Sequence, residues 1–77
     1  MKHEDLTPMK PRPMGKAELA MLYAPELTIS AAVKRLMQWI HHNPRLTEAL
    51  NATGYRTMQK ILTARQVAII FEYLGEP

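Results

Sequence analysis

Cysteine is absent from the 77-residue chain, which excludes disulfides, thiolate metal sites and cysteine nucleophiles together. Apolar runs are short as well, and none approaches the ~18 consecutive apolar residues that a membrane span requires. The opening MKHEDLTPMK lacks the apolar centre of a signal peptide, so the cytoplasm is the expected compartment. No P-loop, dinucleotide-binding glycine pattern, nucleophile elbow or HExxH motif occurs. The chain is therefore expected not to be an enzyme, and nothing in it asks for a cofactor or a small-molecule substrate. A metal site is not expected either. His41 and His42 are neighbours that point in different directions on a helix, and no histidine or carboxylate stands one turn away at 37, 38, 45 or 46.

Carboxylates are scarce through the middle of the chain. Across residues 28–65, Lys34, Arg35, Arg45, Arg56, Lys60 and Arg65 stand against a single acid, Glu48. The other acids, Glu4, Asp5, Glu18, Glu26, Glu72 and Glu76, lie towards the ends. That asymmetry favours an anionic partner. What is plentiful is apolar surface: 47% of the residues are hydrophobic, enough for one small domain on a single core. A domain of this size without covalent staples often gains stability by oligomerising.

Residues 1–14, with Pro8, Pro11 and Pro13, read as an extended or disordered arm, because each proline removes an amide donor and biases its predecessor away from the helix. Residues 10–14 either trail in solvent or lie along the body as an edge strand, with Lys10, Arg12 and Lys16 placed to meet phosphates. Residues 15–77 read as one helical domain. Its first helix opens at Gly15, turns Leu19, Leu22 and Tyr23 inward and stops at Pro25.

The stretch TISAAVKRLMQWIHH, residues 28–42, is the central helix. Thr28 suits the N-cap, and Ile29, Val33, Leu36, Met37 and Ile40 form one apolar stripe. Lys34, Arg35, Gln38, His41 and His42 cover the opposite side without a carboxylate. Trp39 lies at the border, either packed against the core or offered at a binding surface. Asn43 and Pro44 cap and start a third helix with Leu46, Ala49 and Leu50 inward, and Gly54 ends it. Residues 55–62, YRTMQKIL, alternate loosely and suit a short strand or a wing-like loop. Met21, Met37 and Met58 are suited to filling core gaps or lining an adaptable surface.

Thr63 and Gln66 form a capping box for the last helix, with Leu62 and Val67 as its hydrophobic staple. Val67, Ile70, Phe71 and Leu74 make its core stripe. Ile69 and Tyr73 form a second stripe, which a homodimer would bury, and Gly75 closes the helix.

Two resemblances follow from these residues. Glu18-Leu19-Ala20, Tyr23, the turn, Thr28, Ala31-Ala32 and Lys34-Arg35-Leu36 look like a helix-turn-helix unit, in which the second helix would read DNA. Over a longer span, GKAELAMLYAPELT, WIHHNPRLTEALNATGY and LTARQVAIIFEYLGEP resemble the small domain-of-unknown-function 4248 family of Bacteroides-type bacteria. That resemblance implies a compact, mostly helical domain and transfers no functional residue.

The expected architecture is therefore a mainly α, four-helix domain with a helix-turn-helix-like pair and one short extended segment. Two functions stand beside each other. In the first, the domain is a DNA-binding or accessory regulatory protein whose contacts are Lys34, Arg35, Gln38, His41 and His42, with Arg45, Arg56 and Lys60 on phosphates. In the second, it is a protein-interaction module or homodimeric subunit that uses Ile69 and Tyr73 and binds no nucleic acid.

Overall fold

The computed structural model describes residues 10–77, so the greater part of the proline-rich arm lies outside the described residues. Within them a two-residue strand β1 (Met14–Gly15) leads into α1 (Lys16–Tyr23), α2 (Ile29–His41) and α3 (Pro44–Asn51). A second short strand β2 (Ile61–Leu62) then precedes α4 (Ala64–Leu74). The fold is mainly helical, and β1 and β2 form one antiparallel pair with Met14 opposite Leu62 and Gly15 opposite Ile61. Met14 is buried there, so the end of the arm region supplies a core side chain.

Local chemistry explains where each helix begins. The Thr28 hydroxyl accepts the Ala31 amide at 3.2 Å, and the Asn43 side chain accepts the Leu46 amide at 3.1 Å. Thr63 and Gln66 form the full reciprocal capping box. Each such cap is worth about 1 kcal/mol, which matters for helices too short to persist alone. Gly54 (φ 86°) and Gly75 (φ 85°) stand where α3 and α4 are turned aside, in the left-handed region open to glycine at little expense. Helix α1 ends one residue earlier than its C-cap Ala24, whose amide bonds the Ala20 carbonyl, and Pro25 prevents continuation.

Leu19, Leu36, Leu46, Leu50, Leu62, Val67 and Ile70 are almost wholly excluded from solvent and form the centre of the core. Each contributes roughly 1.5–3 kcal/mol through burial. Helices α1 and α2 pack directly on one another and bury the small residues Ala20, Ala24 and Ala32. Two positions depart from the apolar stripes expected of these helices. Ile29 is 60% exposed, because it is the first residue of α2 and Ala32, one turn on, takes the buried place. Leu22 is also exposed, since α1 turns Leu19 and Ala20 rather than Leu22 towards the core. Residues 55–60 are turns and irregular chain, and only Ile61–Leu62 pairs as strand.

Candidate nucleic-acid interface

The amphipathic register of α2 decides what this surface offers. Ala32, Leu36 and Ile40 are held in the core, which turns Lys34, Arg35, Gln38, His41 and His42 outward, all exposed. His41 and His42 have ring centroids 5.7 Å apart and tilted planes, as adjacent helical side chains do. Arg45 is exposed in the first turn of α3, just beyond the end of α2.

The segment that carries Arg56 and Lys60 lies along one flank of the same helix. The Tyr55 hydroxyl donates to the Met37 sulfur at 3.6 Å, and His41 lines a shallow groove with Tyr55 and Thr57. Further along, Val33 lines a second groove with Thr57, Met58, Gln59, Lys60 and Ile61. The basic loop therefore runs beside the half-buried flank of α2, next to the face that bears Lys34 and His41.

A buried amide network fixes that loop. Gln66 is 2% exposed, and its side-chain oxygen accepts the Thr63 amide at 3.0 Å and the Gln59 side-chain amide at 2.6 Å. Its own side-chain amide donates to the Thr53 hydroxyl at 2.9 Å, and Thr53 in turn donates to the Leu50 carbonyl at 2.6 Å. Gln59 also donates to the Ile61 carbonyl and accepts the Arg56 amide. One glutamine thus ties the start of α4, the turn after α3 and the loop with Arg56 together. Gln66 reads from sequence as half of a capping box, and no spacing rule announces its second task.

Lys16 is the other residue whose role the sequence hides. Its side chain is mostly buried, its ammonium donates to the Thr57 carbonyl at 2.7 Å, and it sits 5.2 Å from the centroid of the Tyr55 ring. Its backbone amide donates to the Lys60 carbonyl at 2.7 Å, which extends the strand pairing into the loop. A first-turn lysine preceded by prolines looks like a solvated charge, so nothing in its neighbours signals burial.

Charge is lightly compensated. Arg12 bonds Glu18 at 2.8 Å and, with the Gly15 amide, holds that carboxyl below the usual carboxylate range. Arg35 lies 3.5 Å from Glu26, both well exposed. Lys34, Arg45, Arg56, Lys60 and Arg65 have no ion pair among the described residues.

The other flank of α2 is aromatic. Trp39, 38% exposed, meets Tyr23 edge to face at 5.9 Å between centroids. It also shares an open cleft with His42, Tyr73 and Leu74. The Tyr23 hydroxyl donates to the Gly75 carbonyl, and burial, reinforced by the charge of Glu76, pushes its pKa up to about 12. Tyr73 is 39% exposed, whereas Ile69 is half-buried against the core, so the two differ in what they present to a partner.

These features define a small four-helix domain closed by a two-residue antiparallel pairing, with a basic helix face flanked by a basic loop. The model of the family described as Domain of unknown function (DUF4248) matches residues 10–77, and the chain belongs to that family. No curated protein and no solved structure matches it. Among the described residues no helix is long and apolar enough to cross a membrane.

Proposed function

We propose that the domain is a helix-turn-helix-like protein that binds duplex DNA through the outer face of α2. The observation that carries the reading is the alignment of two basic elements. The face with Lys34, Arg35, Gln38, His41 and His42 runs beside the loop with Arg56 and Lys60, held there by the Tyr55–Met37 contact and the Gln66 network. A helix of thirteen residues is about 20 Å long at ~1.5 Å per residue, a length that fits along the major groove. Lys34 and Arg45 would meet phosphates beside it, Arg56 and Lys60 would grip the backbone from the loop, and Arg35 and Gln38 carry the donors that read guanine and adenine. The Arg35–Glu26 pair does not oppose this. Exposed pairs are worth about 0–1 kcal/mol, less than a base contact returns.

The test is fluorescence anisotropy with mixed-sequence duplex DNA at low and moderate salt, on wild type and on the Lys34→Glu, Arg35→Glu double variant. Binding that falls steeply with salt in wild type and vanishes in the variant is the expected result. Absence of binding at low salt would remove the reading, and retained affinity in the variant would move the interface off α2.

A second reading rests on a separate observation, the cleft of Trp39, His42, Tyr73 and Leu74. Exposed aromatic rings gathered at one cleft are the composition of protein contacts, and a homodimer across it is the economical arrangement for so small a domain. Tyr73→Asp is then expected to turn a dimer into a monomer by sedimentation. The companion change Ile69→Asp acts on a half-buried core neighbour and is expected to lower stability too. A wild-type chain that sediments as a monomer at all concentrations would dispose of this reading.

A further inference from the structure

We propose that the groove between the start of α1, Val33 of α2 and residues 57–61 binds a small amphipathic carboxylate, an apolar chain or ring system ending in one negative charge. The groove holds about 460 Å³, inside the range of roughly 300–1,000 Å³ typical of ligand pockets. Its lining divides by chemistry. Ala17, Val33, Met58 and Ile61 give an apolar wall, and Lys16 and Lys60 are its only charged members among the described residues.

Two observations argue for an anion with an apolar body. The first is Lys16. A buried ammonium is costly unless compensated, and here the groups that meet it are a carbonyl at 2.7 Å and an aromatic ring, with no carboxylate among the described residues. Neutral dipoles at Thr57 and Tyr55 hold that charge without a counter-charge among the described residues. Exposed Lys60 adds a second positive charge at the rim. The second is the wall. Met58 is 85% exposed and Ile61 64%, so two large apolar side chains border the groove with little packed against them. A ligand body laid along Met58, Ile61 and Val33 would remove that surface from water, while its carboxylate met exposed Lys60 at the rim, with the Lys16 charge behind it. A phosphate alone would leave the wall wet, and a hydrocarbon alone would leave the cations unanswered. The groove shares Lys60 with the proposed phosphate contacts, but its apolar wall and Lys16 take no part in them, so the inference stands whether or not DNA is bound on α2.

The experiment is a titration of the full chain with decanoate, and in parallel with decanol, followed by proton–nitrogen correlation spectra. Saturable shifts confined to the amides of residues 15–17, 33 and 57–61 are expected with decanoate. Decanol should bind roughly ten-fold or more weakly, the ratio expected for a charge-assisted hydrogen bond. Lys16→Met should abolish the preference for the acid. If that variant unfolds, Met58→Asp and Lys60→Glu place a negative charge at exposed rim positions and should remove decanoate binding with unchanged melting. Three results would overturn the proposal: no saturable shift, equal affinity for acid and alcohol, or shifts that follow protein concentration, which would mean that a second copy fills the groove.

Discussion

The side-chain amide of Gln59 donates to the side-chain oxygen of Gln66 at 2.6 Å, joining an otherwise irregular loop to the first turn of α4. Because Gln66 also serves Thr63 and Thr53, the loop, the capping box and the end of α3 share one buried acceptor and one buried donor. No buried side-chain polar atom among the described residues lacks a partner, so the network is complete and each deletion leaves something unpaired.

Gln66→Leu keeps the volume and removes the bonds. The Thr63 amide loses its acceptor, the Gln59 amide keeps only the Ile61 carbonyl, and Thr53 loses its donor. A loss of about 1–3 kcal/mol is expected by urea denaturation, the range for buried groups left unsatisfied. A change below about 0.5 kcal/mol, the scatter of ordinary surface substitutions, would show that water replaces the bonds freely.

Gly54 offers a cleaner test of backbone strain. At φ 86° a side chain is disfavoured, yet a Cβ there would touch nothing within 4 Å. Gly54→Ala is therefore expected to lower stability by about 1–2 kcal/mol through the backbone alone, measured as a shift of the urea midpoint with unchanged slope. An unaltered midpoint would mean that the turn relaxes.

Tyr23 predicts an alkaline limit. Burial first, and the charge of Glu76 second, raise its pKa to about 12, while the unfolded chain releases the phenol proton near pH ~10. The raised value in the folded state makes its contribution complete below pH ~10 and lost progressively as the pH climbs towards 12. Ultraviolet titration of wild type should show a late tyrosinate transition that Tyr23→Phe lacks. The variant should also lose part of the stability decline across that window.

The proposed DNA contacts separate by salt. Arg56→Ala and Lys60→Ala are each expected to flatten the log–log salt slope by about one and to weaken all sequences alike. Gln38→Ala should instead alter preference among sequences with the slope preserved. A Gln38 variant that behaves like the loop variants would place that residue on the phosphates.

What could be read in advance was local. Thr28, Asn43 and Thr63 announce helix starts because a short polar side chain before an apolar run has one favourable use, and all three cap through their side chains. Gly75 announces the end of α4 for a similarly local reason, whereas α3 already ends at Asn51 and Gly54 takes the positive φ in the turn beyond it. The outward basic face of α2 was legible from its helical period. Placement of the loop beside that face was not, since it depends on Gln59 meeting Gln66 and on Lys16 reaching Thr57, contacts between segments whose order in the chain says nothing of their distance. Ile29 shows the limit of periodicity: the stripe includes it, but the first turn of a helix has fewer neighbours to cover what it points inward.

The pairing of Met14 with Leu62 also sets an order of events during synthesis. Helices α1 and α2 are neighbours in the chain and in space, so they can associate while later segments are still being made. β1 cannot, because its partner strand is the last element but one, and the Lys16–Thr57 bond waits for the same stretch, 41 residues further on. Closure of the domain is thus a long-range step that follows the local ones, the kind of step that slows folding. Until residues 57–62 emerge, Met14 and Lys16 have nowhere to go, and a ribosome-stalled chain ending after α3 should expose both to protease.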